Sequence, residues 1–128
     1  MRITTFIRQK EATAAPHETL HQVAARMRSV GLSCMPVVRD EGLVALITER
    51  DLVKAMAISA RPGEATVADY MRTGSISVEP FDEASVALLR MLAIGCLDLP
   101  VVNERRLIGM VSARELLAAQ AVVHGIAV

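Results

Sequence analysis

The stretch Cys34-Met35-Pro36-Val37-Val38-Arg39-Asp40-Glu41-Gly42-Leu43-Val44-Ala45-Leu46-Ile47-Thr48-Glu49-Arg50-Asp51 returns, 64 residues on and without a gap, as Asp98-Leu99-Pro100-Val101-Val102-Asn103-Glu104-Arg105-Arg106-Leu107-Ile108-Gly109-Met110-Val111-Ser112-Ala113-Arg114-Glu115. The same offset lays Pro16 to Val53 over Pro80 to Leu117. Identities fall at Pro16/Pro80, Arg26/Arg90, Met27/Met91, Gly31/Gly95, Pro36/Pro100, Val37/Val101, Val38/Val102, Leu43/Leu107, Arg50/Arg114 and Leu52/Leu116. A match in this order is the mark of a duplicated supersecondary unit.

Each copy reads alike in local structure. Thr19-Leu20-His21-Gln22 has the spacing of a capping box, and Leu20, Val23, Ala24, Met27 and Val30 recur at helical spacing until Gly31. Met35 to Val38 and Leu43 to Ile47 are short aliphatic runs around Arg39-Asp40-Glu41-Gly42, the pattern of strand, turn and strand. Thr48-Glu49-Arg50-Asp51 then opens a second helix through about Ile58. In the second copy the spacing predicts a helix over Ala84 to Ile94, strands over Leu99 to Val102 and Leu107 to Val111, and a helix after Ser112. Extended segments, Glu11 to Ala15 and Ser75 to Glu79, are expected to add a strand to each sheet, and Ser59 to Glu64 has linker chemistry. The organisation expected is a first unit over 1–60, a linker and lead-in over 61–74, and a second unit over 75–128.

Composition narrows the function. A chain of 128 residues holds one compact domain or two half-domains sharing a core. With 52% hydrophobic residues and a formal net charge of zero, it is neither a disordered tail nor a bulk electrostatic ligand for nucleic acid or anionic membrane. Its aromatics are Phe6, Phe81 and Tyr70, too few for base-stacking platforms. The apolar run Leu116 to Val128 is too short to span a bilayer, and the N-terminus lacks the apolar core of a signal peptide, so a soluble cytoplasmic protein is expected. Cys34 and Cys96 stand apart, outside any metal-ligand spacing, and read as small buried apolar residues. His17, His21 and His124 converge on no site. There is no Ser/His/Asp order, no glycine-rich phosphate loop and no paired carboxylates with a reacting centre, so neither catalysis nor a metal is expected. Val86 to Ile94 and Leu116 to Val123 are apolar almost all round their helices, which points to a homodimer through helix faces; burial inside the pair is the competing reading.

The order x-x-Pro-Val-Val, turn, aliphatic run, Thr/Ser-x-x-Asp/Glu, seen twice, resembles the CBS domain, named for cystathionine β-synthase. Val67-Ala68-Asp69-Tyr70-Met71 is similar to the segment leading into many such units. The resemblance implies an α/β (α+β) fold of two tandem β-α-β-β-α units related by a pseudo-twofold axis, forming one compact CBS pair with two clefts. It also implies a regulatory ligand, an adenine nucleotide such as AMP, ADP or ATP or another adenosyl compound, whose presence is reported to an effector protein.

By the same resemblance, the carboxylate of Thr48-x-x-Asp51 takes the ribose hydroxyls while the helix N-terminus faces the phosphates; Arg50, matched by the repeat to Arg114 and two residues after the hydroxyl, is close enough to pair with a phosphate, a solvated surface arginine being the alternative. That division suits free N–H groups and a carboxylate acceptor. Backbone groups around Ser75, Ile76 and Ser77 and around Leu97, Asp98 and Leu99 would read the adenine. The second site would hold Ser112, Arg114 and Glu115 with Glu11 to Thr13 and Ser33 to Met35, Cys34 among them, and Lys10 and Arg8 within reach of a phosphate. Glu115 departs from the family's Asp, and its extra methylene pushes into the ribose space, so the Asp51 cleft is the better expected site. Both motifs are also plain capping boxes, whose side chains the helix's own donors can occupy. A ligand-free assembly scaffold is therefore the alternative function.

Overall fold

The structure, a computed structural model, describes residues 1–9, 12–58 and 60–125; Lys10, Glu11, Ser59 and the end of the run Leu116 to Val128 lie outside the described residues. After a 3-10 turn at Thr4–Phe6 the order is α1 (Leu20–Val30), β1 (Cys34–Arg39), β2 (Gly42–Thr48), α2 (Glu49–Ala57), α3 (Val67–Tyr70), α4 (Ala84–Ile94), β3 (Asp98–Asn103), β4 (Arg106–Ser112) and α5 (Ala113–Val123). The repeat in sequence is thus a repeat in structure.

Local chemistry sets the boundaries. Thr19 Oγ1 accepts the Gln22 N–H at 3.2 Å while Gln22 Oε1 accepts the Thr19 N–H at 2.9 Å, closing the capping box of α1. α1 and α4 stop at Gly31 (φ +72°) and Gly95 (φ +84°), left-handed positions where each glycine N–H returns to a carbonyl of the last turn. Both hairpins turn on two residues of positive φ, Asp40 and Glu41 in one and Glu104 and Arg105 in the other. This primed turn matches the twist of the strands it joins.

Among the described residues, the extended segments contribute one bridge each to the sheet rather than a full strand. Ala14 N–H donates to the Pro36 carbonyl (2.9 Å) and its carbonyl accepts the Val38 N–H (2.9 Å); Val78 bonds Pro100 and Val102 likewise. Prolines explain the limit. In a parallel ladder the next bonds require an N–H from Pro16 or Pro36, and from Pro80 or Pro100 in the second copy, and proline has none.

Two segments cross between the copies. Arg8 exchanges backbone hydrogen bonds with Met110 of β4 (2.8 and 2.9 Å), and Arg72 does the same with Leu46 of β2. Residues 1–8 therefore lie on the second half, with Ile3 buried in its core, and α3 lies on the first, with Val67 buried there. The hairpins meet at Gly42 and Arg106, giving one antiparallel sheet in the order β1-β2-β4-β3. Each half has its own core, but Cys34 and Leu46 of the first copy pack into the core of the second. That shared packing binds the halves into one body.

Candidate functional site

The repeat sets matched side chains at the starts of α2 and α5, and their environments differ. At α2 the box is complete: Asp51 Oδ2 accepts the Thr48 N–H (2.8 Å) and hydroxyl (2.9 Å), and Thr48 Oγ1 accepts the Asp51 N–H. Arg72 then forks onto the same carboxylate, Nη2 to Oδ1 at 2.6 Å and Nε to Oδ2 at 3.2 Å. Thr48 is fully buried and Asp51 is 5% exposed. Asp51 thus accepts four hydrogen bonds, three on Oδ2 and one on Oδ1.

At α5 the arrangement is looser. Ser112 Oγ accepts the Arg114 N–H at 3.2 Å, and Glu115 turns away from the cap to meet Arg8 through one contact of 3.3 Å. The Glu115 side chain keeps 38% of its exposure. Arg8 and Arg72 are themselves matched by the 64-residue offset. The register that pairs Pro16 with Pro80 thus continues eight residues further back to this pair.

A second difference opens space. A Cβ on Gly95 would collide with the Arg50 guanidinium, whereas one on Gly31 would meet nothing within 4 Å. Arg50 therefore lies across its glycine and Arg114 does not. Beside Gly31 is a cleft of about 450 Å³ lined by Arg8, Gly31, Ser33, Glu49, Leu97, Asp98, Ser112, Ala113, Arg114, Glu115 and Leu117. Gly109 makes the Arg8 wall possible, since a side chain there would strike the Arg8 carbonyl and Ile7.

The cleft is built jointly. Ser33, from the loop before β1, donates its N–H (3.2 Å) and hydroxyl (2.8 Å) to Asp98 Oδ2, and its own oxygen accepts the Leu97 N–H (3.0 Å). The first amides of α2 and α5 are tied to loop carbonyls, Glu49 N–H to Ser33 and Ala113 N–H to Leu97. Glu115 rests on Arg8 and Asp98 on Ser33, while no ion pair forms on Arg114 among the described residues. The walls offer a cation, carboxylate acceptors, a hydroxyl and the aliphatic surfaces of Leu97 and Leu117.

Measured against the sequence expectations, this cleft gathers Ser33, Ser112, Arg114 and Glu115 from one expected site with Leu97 and Asp98 from the other. Ile76 and Ser77 line a separate cleft of about 470 Å³ beside the hairpin tips, with Leu43 and Arg105. Ser75 is exposed, Leu99 is buried in the core, and the Ser77 carbonyl is taken by Arg90. The Thr13 carbonyl is taken by Arg26 (2.8 Å), Cys34 is buried on the Asp98 carbonyl, and Lys10 lies outside the described residues. Gly31, Glu49 and Leu117 were not singled out from sequence. Gly31 carried a signal in its match to Gly95, whereas nothing local marked the other two.

The twofold unit, its prolines and its paired helix starts define a tandem-repeat α/β module, and the chain belongs to the CBS domain family, which matches residues 3–58 and 67–122. Among its relatives, protein MK0525 of Methanopyrus kandleri is 32% identical over 116 residues, covering 88% of this chain and 59% of that protein. The CBS domain-containing protein YhcV of Bacillus subtilis is 28% identical, over 85% of this chain and 78% of its own length. In structure the chain is similar to the CBS domain protein PAE2072 of Pyrobaculum aerophilum, solved in complex with AMP (TM-score 0.83, 20% identity, 98% of each chain). It is also similar to protein MJ1225 of Methanocaldococcus jannaschii (TM-score 0.79, 26% identity, 94% of this chain and 48% of that one). Among the described residues no helix is long and apolar enough to cross a membrane.

Proposed function

We propose that this chain is a non-catalytic sensor that binds an adenine nucleotide in the cleft of Ser33, Asp98, Ser112, Arg114 and Glu115 and passes its ligand state to an effector protein. The observation that carries the reading is the asymmetry of the two helix starts: Asp51 accepts four hydrogen bonds from Thr48 and Arg72, whereas Glu115 makes one contact to Arg8 and stays half-buried beside an open cleft. In this reading Glu115 takes the ribose hydroxyls, a strong acceptor for a vicinal diol, and Arg114 and Arg8 face the phosphates. Leu97 and Leu117 bracket the base, and Asp98 accepts its amino group. The AMP held by PAE2072 supports this ligand class.

Binding shifts the tilt of the halves, or of two protomers, only by the nucleotide's differential affinity for the two arrangements. The setting proposed is a soluble cytoplasmic homodimer. Calorimetry with AMP, ADP, ATP, NAD and S-adenosylmethionine tests the reading. At least one gives heat with the native chain and none with Glu115→Ala; silence from all five at millimolar concentration overturns it. The buried, Arg72-paired Asp51 and the exposed faces of α4 and α5 favour a second reading, a ligand-free assembly scaffold, which predicts that silence.

A further inference from the structure

Cys34 and Cys96, far apart in sequence, meet beneath the cleft. Cys34 Sγ lies 3.3 Å from the Asp98 carbonyl oxygen and Cys96 Sγ 3.1 Å from the same atom. The two sulfurs therefore converge on a single carbonyl oxygen. One belongs to each copy: Cys34 begins β1, and Cys96 stands two residues before β3. Both are reduced, Cys34 with no exposure and Cys96 with 5%. The nucleotide site makes no use of either sulfur.

We propose that Cys34 and Cys96 are a covalent modification site, a dithiol that a peroxide converts to an intrachain disulfide joining the two repeats. Cys96 is the attacking sulfur. It keeps the slight exposure, and its Cys34 neighbour, aided by the nearby Arg72 charge, holds its thiol below the ordinary range, while the Cys34 thiol is pushed up by the Cys96 sulfur and by burial. The Cys96 thiolate attacks one peroxide oxygen: an S–O bond forms, the O–O bond breaks, and the departing hydroxide takes a proton to become water. Cys34 sulfur then attacks the Cys96 sulfenic acid: the S–S bond forms, the S–O bond breaks, and the hydroxide leaves with the Cys34 proton as a second water. The two sulfurs together lose two electrons, which reduce the peroxide.

The disulfide would fix the Ser33–Asp98 edge of the cleft, because Ser33 precedes Cys34 and Leu97-Asp98 follow Cys96. The chemistry itself does not depend on nucleotide binding. Its test is titration of the native, fully reduced chain with hydrogen peroxide, then alkylation in denaturant and mass spectrometry. Both alkylatable thiols are lost together, the intact mass falls by two hydrogens, a single linked peptide joins Cys34 to Cys96, and dithiothreitol restores both. In Cys34→Ala the reaction stops at a sulfenic acid on Cys96 that dimedone traps. Two alkylatable thiols after excess peroxide, cross-links only between chains, or sulfonic acids without the linked peptide would overturn the proposal in the native chain alone.

Discussion

Asp51 and Glu115 occupy matched positions and differ by one methylene, and that difference decides where each carboxylate goes. The shorter side chain folds back onto its helix start and receives Arg72 as a fork; the longer one reaches past its cap to Arg8. Removing one partner of a buried, hydrogen-bonded ion pair strands the other. Asp51→Ala should therefore lower stability by about 2 to 4 kcal/mol in urea titration, whereas Glu115→Ala, on an exposed single contact, stays within about 0.5 kcal/mol. A reversal of that order would show that the two helix starts had been misassigned. Glu18 offers a pH test at the same scale. The bidentate Arg26 guanidinium holds its carboxyl below the usual carboxylate range, against the opposing pull of partial burial. A lowered folded pKa contributes stability above the unfolded value of about 4.3, and that contribution is lost as pH falls through the folded one. The urea midpoint of Glu18→Gln should fall less steeply below pH ~4 than that of the native chain.

Among the elements, the hairpins are the most repetitive and the least ideal. Their turns need positive φ at both central residues, yet use Asp40-Glu41 and Glu104-Arg105 where Asn-Gly or Asp-Gly is favoured. A side chain held there costs about 1 kcal/mol. Glu41→Gly creates Asp-Gly at a position already at φ +65° and gives up an exposed ion pair to Arg106 of little worth. It should raise stability by about 0.5 to 1 kcal/mol, measured by thermal and urea unfolding; a loss would mean that the turn changes type.

For the whole molecule, the open question is what covers α4 and α5. Ala87, Met91, Ile94 and Leu116 are buried inside the pair, but Leu89 and Leu92 are 66% and 79% exposed, and Leu117, Val122 and Val123 also face outward. Internal burial accounts for one side of each helix and leaves the other exposed, the face that the proposed homodimer would cover. Sedimentation equilibrium at micromolar concentration should find a dimer for the native chain and a monomer with unchanged circular dichroism for a Leu89→Lys, Leu92→Lys double variant. A native monomer would remove the dimer from the proposed function.

The sequence by itself determined the repeat, the order of helices and strands and the ends of α1 and α4, because capping boxes, glycine stops and aliphatic runs act over a few residues and appear twice in one register. Prolines that limit each extended segment to one bridge were also in plain view, although their effect follows only from the pairing partner. What tertiary structure decided was which acceptors are spent. Thr48-x-x-Asp51 and Ser112-x-x-Glu115 differ along the chain in the length of the carboxylate side chain, but only the crossing segments bring Arg72 and Arg8 to them, and with different closeness. Tertiary packing also lays Arg50 over Gly95 and leaves Gly31 open, and the convergence of the repeats brings Cys34 and Cys96 to one carbonyl oxygen. Such pairings depend on distances between residues tens of positions apart, which no local pattern encodes.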